Sequence, residues 1–322
     1  MMAVTPAITG LQAETPGVSR WLDFPCDWRR REQSGEYSLF RDAAEGYGQL
    51  LPRPAPDEIA AFYDVDYYTH SAEAGADESE GSLRWKILRH LAWRVDRGTE
   101  PTNAWWAKTL GDAPRRCLEI GCGNGATLAR LQAMGHDVTG VEPDPAAREA
   151  ARAQGITALD GIAEVLPEAL IGQQFDCVLM VHVLEHCLDP VQALRNARAL
   201  LAPGGVLVIE VPNNACAGIG HFGRNWLFLD VPRHLNFFTA ASLRAMAQLA
   251  GFSESRFDYL GYVMQFLSPW HREQGQICRA YGDSPAINGF ASHLRYFFKT
   301  AFVADDAKYC SIRITATLAD PP

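Results

Sequence analysis

The pattern of hydrophobic and polar residues changes near Arg115. From there, short apolar runs are followed by stretches with helical spacing, beginning with a strand at 116–120 and a helix that ends at Gly135. Further apolar runs predict strands at 136–142, 156–159, 175–183 and 205–211. Continuous apolar strands that alternate with helices are typical of a parallel sheet buried on both faces. Right-handed crossovers then make this α/β region a doubly wound, three-layer sandwich.

The end of this region is less regular. A long irregular loop is predicted over 212–238, followed by a helix in TAASLRAMAQLAG and a strand near 257–262. An aromatic-rich insertion over 263–309 separates that strand from SIRITATLA at 311–319, whose β-branched alternation predicts the final strand. We interpret 212–238 as an active-site loop. The insertion is interpreted as a helical lid, with a dimer surface or a membrane-touching helix pair as alternatives.

The N-terminal part has a different character. Residues from Trp21 to Gly48 mix aromatic, charged and glycine residues without a sustained period, which predicts irregular structure. Apolar residues return at helical spacing in Leu83–Val95, which predicts an amphipathic helix. We therefore divide the chain into a tail and cap segment, 1–82, and a main α/β domain, 83–322.

Charge and composition limit the classes of binding partner that we expect for this chain. The chain has 29 Lys and Arg against 38 Asp and Glu, a formal net charge of −9, so its surface is expected to repel nucleic acid. No apolar run is long enough for a transmembrane segment, and the N-terminus lacks the features of a secretory signal. These observations predict a cytoplasmic protein. The 8 cysteines contain no Cys-x-x-Cys pair, which argues against a ribbon-type zinc site.

A glycine-rich turn is the first candidate for chemistry. Gly121, Gly123 and Gly125 follow a predicted strand and open a helix, where backbone can approach a ligand closely and helix N–H groups are available. With Glu142 about twenty residues on, the turn also fits a dinucleotide fingerprint. Glu119 favours another ligand, because it could reach a cationic amino group and would repel a pyrophosphate.

A polar cluster follows the strand at 175–183. Glu185 and His186 come directly after this strand, at the edge where open α/β sheets bind ligands. Together with LLAPGGVLVIEVPN, these features resemble the class I S-adenosylmethionine-dependent methyltransferases over about 115–251. The resemblance implies a seven-stranded, mostly parallel sheet with an antiparallel last strand. It also implies S-adenosylmethionine as cofactor and S-adenosylhomocysteine as product.

Two further segments narrow the resemblance. FGRNWLFLDVPRHLNFFTAASLRAMAQLAGF and GYGQLLPRPAPDEIAAFYDVDYYTH are similar to bacterial methyltransferases associated with surface-polysaccharide and other small-molecule modification. Many such relatives have a cysteine-rich zinc knuckle before the second segment, whereas here only Cys26 remains. This difference argues against sugar C-methylation of the zinc-bearing kind.

The resemblance implies a set of cofactor-binding positions. They are Glu119, Gly121, Gly123, Gly125, Glu142, Asp160, Ile162, Val181 and His182. Glu142 would accept hydrogen bonds from both ribose hydroxyls. Asp160 would meet the adenine amine, or Ile162 would cover the ring. Val181 and His182 would line the methionine end.

Methyl transfer requires alignment for in-line displacement, and a hydroxyl acceptor also requires a base. The candidate catalytic residues are His186, His234, His182 and Glu185. We place His186 first because it lies at a strand end, and His234 second, since imidazole titrates near neutrality. A structural hydrogen bond is the alternative role for each histidine.

Two residues are candidates for contact with the substrate. Arg233 could bind a carboxylate or phosphate bidentately, or form a structural ion pair with Asp230. Tyr68 could close over the cofactor or lie in the core.

We assign no metal ligand from the sequence. The alternative is a divalent cation at His182, Glu185 and His186, because some related O-methyltransferases acting on quinone precursors have a comparable cluster. A histidine in the first of these positions suits Mg²⁺ less than an oxygen ligand would.

The predicted function is transfer of the methyl group of S-adenosylmethionine to O, N or S of a small molecule. A sugar or nucleotide-sugar hydroxyl is the first expected acceptor, and a small acid, thiol or other secondary metabolite is the alternative. A nicotinamide-dependent oxidoreductase and a non-catalytic cofactor-binding module are the alternatives of a different class. A homodimer is one assembly that the sequence leaves open.

Overall fold

The computed structural model describes residues 11, 15–30, 35–62 and 82–319. Their strands are β1 (Val18–Phe24), β2 (Tyr37–Asp42), β3 (Gly48–Leu51), β4 (Arg116–Ile120), β5 (Asp137–Val141), β6 (Thr157–Leu159), β7 (Phe175–Val181), β8 (Leu201–Pro212), β9 (Asn236–Phe237), β10 (Phe252–Leu260) and β11 (Ser311–Leu318). Their α-helices are α1 (Pro56–Phe62), α2 (Leu83–Val95), α3 (Asn103–Leu110), α4 (Ala126–Ala133), α5 (Pro145–Ala153), α6 (Pro190–Leu200), α7 (Ala217–Phe222), α8 (Ala240–Leu249), α9 (Ser268–Ala280), α10 (Phe290–Thr300) and α11 (Asp305–Lys308).

The larger sheet has seven strands in the order β10-β11-β8-β7-β4-β5-β6. The five strands from β8 to β6 are parallel, and β11 lies antiparallel between β10 and β8. Along β4, Leu118 and Ile120 join the core on one face, and Cys117 joins the core on the other. Both faces of the sheet are therefore buried. The predicted three-layer sandwich with an antiparallel last strand is confirmed.

Two helices that follow parallel strands, α5 and α6, begin at residues whose side chains cap them. The side chain of Asp144 accepts a hydrogen bond from Ala147 N at 2.6 Å at the start of α5, and Asp189 accepts one from Gln192 N at 2.9 Å at the start of α6. Such caps satisfy N–H groups that have no partner in the first helical turn. Because each parallel strand returns through a helix, the carboxyl ends of β4, β5 and β7 meet at one edge of the sheet.

The N-terminal residues differ from the prediction. Strands β1, β2 and β3 form an antiparallel sheet with β9, in which Gly48 pairs with Phe237 and Gln49 with Asn236. The prediction of irregular structure for 21–48 is therefore wrong. So is the long irregular loop over 212–238, which contains α7 and β9. The partner of β3 comes far along the chain, so no local period announces the pairing.

A second hydrophobic core joins the N-terminal strands to the insertion. Phe24 of β1, Phe222 of α7, Trp270 of α9 and Tyr296 of α10 all belong to it. The helices between β10 and β11 thus pack against the small sheet and against residues 212–238. Within the described residues, none of the helices combines the length and apolar character needed to cross a bilayer.

Candidate active site

The glycine turn follows β4 directly and has a backbone that favours glycine. Gly121, Gly123 and Gly125 have φ values of 72°, 53° and 81°. A Cβ on Gly121 would lie 2.5 Å from Cγ2 of Val183, whereas a Cβ on Gly123 would meet no atom of the described residues within 4 Å. The turn is therefore closed on the side of β7 and open above Gly123, where a ligand can approach the backbone.

Glu142 lies at the end of β5 and holds the turn. Its Oε2 accepts a hydrogen bond from Gly123 N at 2.9 Å, and its Oε1 accepts one from Asp144 N at 2.9 Å. A carboxylate oxygen has a second lone pair, so both oxygens can still accept hydrogen bonds from a ligand. The structure thus brings together Glu142 and Gly123, as the interpretation of a ribose-binding carboxylate requires.

Glu119 is buried beneath the same turn and is only 3% exposed. Its Oε2 has no hydrogen-bond partner among the described residues. Burial raises the pKa of Glu119 to about 8, and a hydrogen bond with Thr127 opposes that rise. Buried polar atoms are normally hydrogen-bonded, so this oxygen fits the cationic amino group of a ligand such as S-adenosylmethionine.

The remaining predicted cofactor residues line the same edge of the sheet. Asp160 follows β6 and forms an ion pair of 2.9 Å with Arg148, while its side chain stays largely exposed. Ile162 is 44% exposed, so a ligand can reach its side chain. Val181 ends β7 beside this edge. These positions remain predictions for the adenine and methionine ends.

His182 has a strained backbone and lies between two carboxylates. Its φ is 55°, its Nδ1 lies 3.0 Å from Oε1 of Glu185, and its Nε2 lies 3.5 Å from Oε1 of Glu210. Burial disfavours the charged ring, but the two carboxylates prevail and raise the pKa of His182 to about 10. A raised pKa favours the protonated ring at neutral pH and counts against His182 as a base, and its catalytic role stays a prediction.

The other two histidines face each other across the site. Nδ1 of His186 lies 3.1 Å from the carbonyl oxygen of Arg233, and Nδ1 of His234 lies 2.9 Å from that of Phe228. Their ring centroids are 4.7 Å apart. Burial and the nearby His186 lower the pKa of His234 to about 4.

Glu185 completes this group, which we call the Glu–His–His cluster (Glu185, His186 and His234). Ligand atoms of the three side chains all lie within 4.8 Å of one another. His182 is the member that the sequence-based metal alternative included and the structure leaves out, because its two ring nitrogens face carboxylates instead. His234 takes that place.

Arg233 has a structural role and is not a substrate ligand. Its side chain is 0% exposed and donates to both oxygens of Asp27 at 2.9 Å and to Asp230 at 3.1–3.2 Å. A guanidinium with these partners has no face left for a substrate. The alternative of an ion pair with Asp230 is therefore the correct one, and Asp27 joins it. Tyr68 lies outside the described residues.

Asn236 and Glu210 support the site, and the sequence analysis did not predict either of them as a site residue. Asn236 Nδ2 donates to the carbonyl oxygens of Leu184 and Cys187 at 3.0 and 2.6 Å, and its Oδ1 accepts from the Tyr47 hydroxyl at 2.8 Å. Asn236 therefore ties the small sheet to the turn that carries Glu185. The available signal was a single polar residue inside the apolar run LNFF. For Glu210, it was a carboxylate inside the apolar strand β8.

The sheet order is that of the class I methyltransferase fold. A family model described as a methyltransferase domain matches residues 94–253, which is 160 of the 322 residues. The chain is therefore similar to this family over about half of its length.

Several known proteins are similar to this domain. A ubiquinone biosynthesis O-methyltransferase from Azorhizobium caulinodans is 35% identical over 152 residues, 44% of this chain and 59% of the relative. One from Ralstonia nicotianae is 28% identical over 210 residues, 59% of this chain and 87% of the relative. The match thus covers less than two thirds of the first of these relatives. A solved 1,6-didemethyltoxoflavin-N1-methyltransferase from Burkholderia thailandensis, with S-adenosylhomocysteine bound, has a TM-score of 0.47 and 19% identity, covering 87% of this chain and 97% of that one.

Proposed function

We propose that this chain transfers the methyl group of S-adenosylmethionine to a hydroxyl oxygen of a small molecule. The observation that carries the proposal is the position of the Glu–His–His cluster beside the glycine turn. Val183 lies between His182 and the cluster in sequence, and its side chain covers Gly121. His186 N donates to the carbonyl oxygen of Val183 at 3.0 Å, so one short segment links the cofactor turn to the cluster.

The chemistry requires little of the protein beyond alignment and removal of a proton. The acceptor hydroxyl passes its proton to the imidazole of His186, and its oxygen forms a bond to the methyl carbon. The bond from that carbon to sulfur breaks at the same time, and the electron pair stays on sulfur. The sulfonium becomes the neutral thioether of S-adenosylhomocysteine. Holding the oxygen, carbon and sulfur in line supplies much of the rate enhancement.

Two classes of acceptor fit this site. A sugar or nucleotide-sugar hydroxyl is the acceptor that the sequence resemblance favours. A phenolic hydroxyl is supported by neighbouring aromatic side chains, and an oxygen acceptor is supported by the names of the relatives, which are O-methyltransferases of ubiquinone biosynthesis. The ring of Phe228 lies 5.7 Å from that of His182 and 4.8 Å from that of Trp270 on α9. The insertion thereby reaches the acceptor side of the site, which supports its interpretation as a lid.

The test separates binding of the cofactor from transfer of the methyl group. Purified protein is incubated with S-adenosylmethionine labelled in its methyl group and with panels of sugars, nucleotide sugars and phenols. We expect label to appear in one panel together with an equal amount of S-adenosylhomocysteine. Glu142→Ala should weaken cofactor binding, measured by calorimetry. His186→Ala should bind the cofactor normally and lose about 10²–10⁴ in turnover, the usual contribution of a proton-transfer group.

His90→Ala is the matched control, because His90 lies on α2 and stacks on Trp93, away from β4 and β7. This variant should retain both cofactor binding and turnover. The proposal would be abandoned if the protein bound NAD in preference to S-adenosylmethionine. It would also fail if His186→Ala and His90→Ala had the same turnover on the acceptor that the unaltered chain methylates.

A further inference from the structure

We propose that helices α2 and α10 together bind the surface of a membrane that contains anionic lipids. Among the described residues, seven of the ten exposed large apolar side chains lie on α2, on α10 or directly after α10. They are Leu83, Ile87, Leu91, Trp93, Phe298, Phe302 and Val303. Exposed apolar side chains that are gathered in one place mark a binding surface, whereas scattered ones need no explanation.

The two helices lie side by side and run in the same direction. Near their starts, the ring of Trp85 on α2 lies 5.2 Å from the ring of Phe290 on α10. Near their ends, Nζ of Lys308 donates to the carbonyl oxygens of Val95 on α2 and Ala301 after α10. The solvent-facing sides of the two helices therefore adjoin.

Charge distinguishes this surface, which we call the basic helix pair (83–95 and 290–303), from the rest of the chain. Helix α2 contains four Lys and Arg residues and α10 contains two, and neither helix contains Asp or Glu. The whole chain has a net charge of −9. The basic helix pair thus presents cations among apolar side chains on an otherwise acidic protein.

This combination fits an anionic bilayer surface better than it fits a second copy of the chain. A helix that lies in the plane of a membrane buries its apolar side chains at the boundary of the headgroups, while its Lys and Arg residues attract anionic lipids. In a two-fold dimer the same surface would face itself. The six positive charges of one basic helix pair would then oppose the six of the other.

The basic helix pair lies largely outside the region that is similar to the methyltransferase family. The family model matches residues 94–253, whereas α10 and all but the last two residues of α2 fall beyond it. Membrane binding would therefore belong to the segments that this chain adds to the family region. It does not depend on the proposed function.

The test measures co-sedimentation of the full chain with lipid vesicles. One kind of vesicle contains phosphatidylcholine and phosphatidylglycerol in a ratio of about two to one, and the other contains phosphatidylcholine alone. We expect the chain to bind the anionic vesicles, more weakly when salt is added, and to bind the neutral vesicles much less. Lys86→Gln and Lys299→Gln should each weaken binding by about fivefold, the usual contribution of one basic residue near such a surface. Phe302→Ser should weaken it by about tenfold or more.

Lys108→Gln and Ile171→Ser are the matched controls. Lys108 lies on α3 and Ile171 follows β6 in a turn, so both are outside the basic helix pair. Ile171 is 79% exposed and Phe302 is 87% exposed, so each change to Ser removes an exposed apolar side chain. Both control variants should bind the anionic vesicles like the unaltered chain.

Trp93 reports the contact in the unaltered chain, so this measurement does not depend on whether a surface variant folds. Its side chain is exposed, and lipids brominated in their acyl chains should quench its fluorescence when the chain binds. Trp93→Phe should remove most of that quenching.

Three results would overturn the proposal. They are failure to bind the anionic vesicles, equal binding to both kinds of vesicle, and equal affinity of Lys86→Gln and Lys108→Gln for the anionic vesicles. A concentration-dependent dimer that Phe302→Ser abolishes would also overturn it, because the surface would then belong to a second copy of the chain. Methyl transfer to a soluble acceptor is measured without vesicles, so none of these results would contradict the proposed function.

Discussion

Replacing Arg233 tests whether this buried residue stabilises the fold or binds the substrate. The guanidinium forms a pair of parallel hydrogen bonds with Asp27, each of 2.9 Å, and also binds Asp230. Arg233→Met keeps much of the side-chain volume and leaves both carboxylates without their main partner. Arg29 lies 3.3 Å from Asp230 and can compensate only one of them.

The burial of these groups determines how much Arg233→Met lowers the free energy of unfolding. Arg233, Asp27 and Asp230 have side chains that are 0%, 4% and 6% exposed, so solvent can scarcely screen the charges left behind. Removing one partner of a buried ion pair typically costs about 3–5 kcal/mol. For a chain of 322 residues that corresponds to a fall of roughly 4–7 °C in the unfolding midpoint. Arg233→Lys should recover little, because an ammonium cannot form the bidentate pair.

The assay is thermal unfolding, followed by calorimetry and circular dichroism. Arg20→Met is the control, because Arg20 pairs with Asp23 and the side chains of both residues are more than half exposed. An exposed pair of this kind contributes about 0–1 kcal/mol. In a double-mutant cycle, Asp27→Asn should cost much less in the Arg233→Met background than alone.

A contrary result would restore the other interpretation of Arg233. If Arg233→Met unfolded within about 1 °C of the unaltered chain and raised only the Michaelis constant for the acceptor, Arg233 would be a substrate ligand. The ion network would then be incidental.

Three further predictions follow from single groups. Gly121→Ala should weaken S-adenosylmethionine binding by about tenfold or more in calorimetry, because the new Cβ would lie 2.5 Å from Val183. Gly135→Ala is the control, because Gly135 also has a positive φ but a Cβ there would meet no described atom within 4 Å. This variant should bind S-adenosylmethionine normally. Ionisation of Glu119 by the bound ammonium should release a proton, because its pKa is about 8 in the free protein. The affinity for S-adenosylmethionine should therefore rise with pH, by up to about tenfold per pH unit below pH 8. Glu119→Gln should remove that rise. If the pH dependence were unchanged in this variant, Glu119 would not be the group that ionises on binding. Burial lowers the pKa of His293 from 6.5 to about 4, so the unfolded chain binds more protons between these values. The free energy of unfolding should fall by at most about 3 kcal/mol as pH drops from 6.5 to 4, measured by urea titration, and a flat profile would contradict it.

The sheet and the cofactor turn could be predicted because their determinants are local. Strands β7 and β8 contain continuous apolar runs, and Asp144 and Asp189 mark the helices α5 and α6 within a few residues of the preceding strands. Gly121 and Gly125 adopt positive φ, which few other residue types tolerate. A local signal of this kind can be read directly from the sequence.

The part of the site expected to contact the methyl acceptor could be predicted only as a set of candidate residues. His186 and His234 were both named, but nothing in the sequence indicated that their rings lie 4.7 Å apart. The role of Arg233 depended on Asp27, which is distant in the chain. The pairing of β3 with β9 has the same origin. Contacts between remote segments leave no periodic pattern.

The cofactor turn and the Glu–His–His cluster depend on different parts of the fold. The cofactor turn rests on β4, β5 and α4, through contacts such as Gly123 to Glu142. The Glu–His–His cluster rests on the small sheet, because Leu235 N donates to the Glu185 carbonyl at 2.6 Å and Asn236 binds the same turn. Loosening the small sheet should therefore disturb the acceptor before the cofactor. Below its unfolding temperature, the Arg233→Met protein should bind S-adenosylmethionine almost normally and turn over slowly. Equal losses of both would mean that the cofactor turn and the small sheet unfold as one unit.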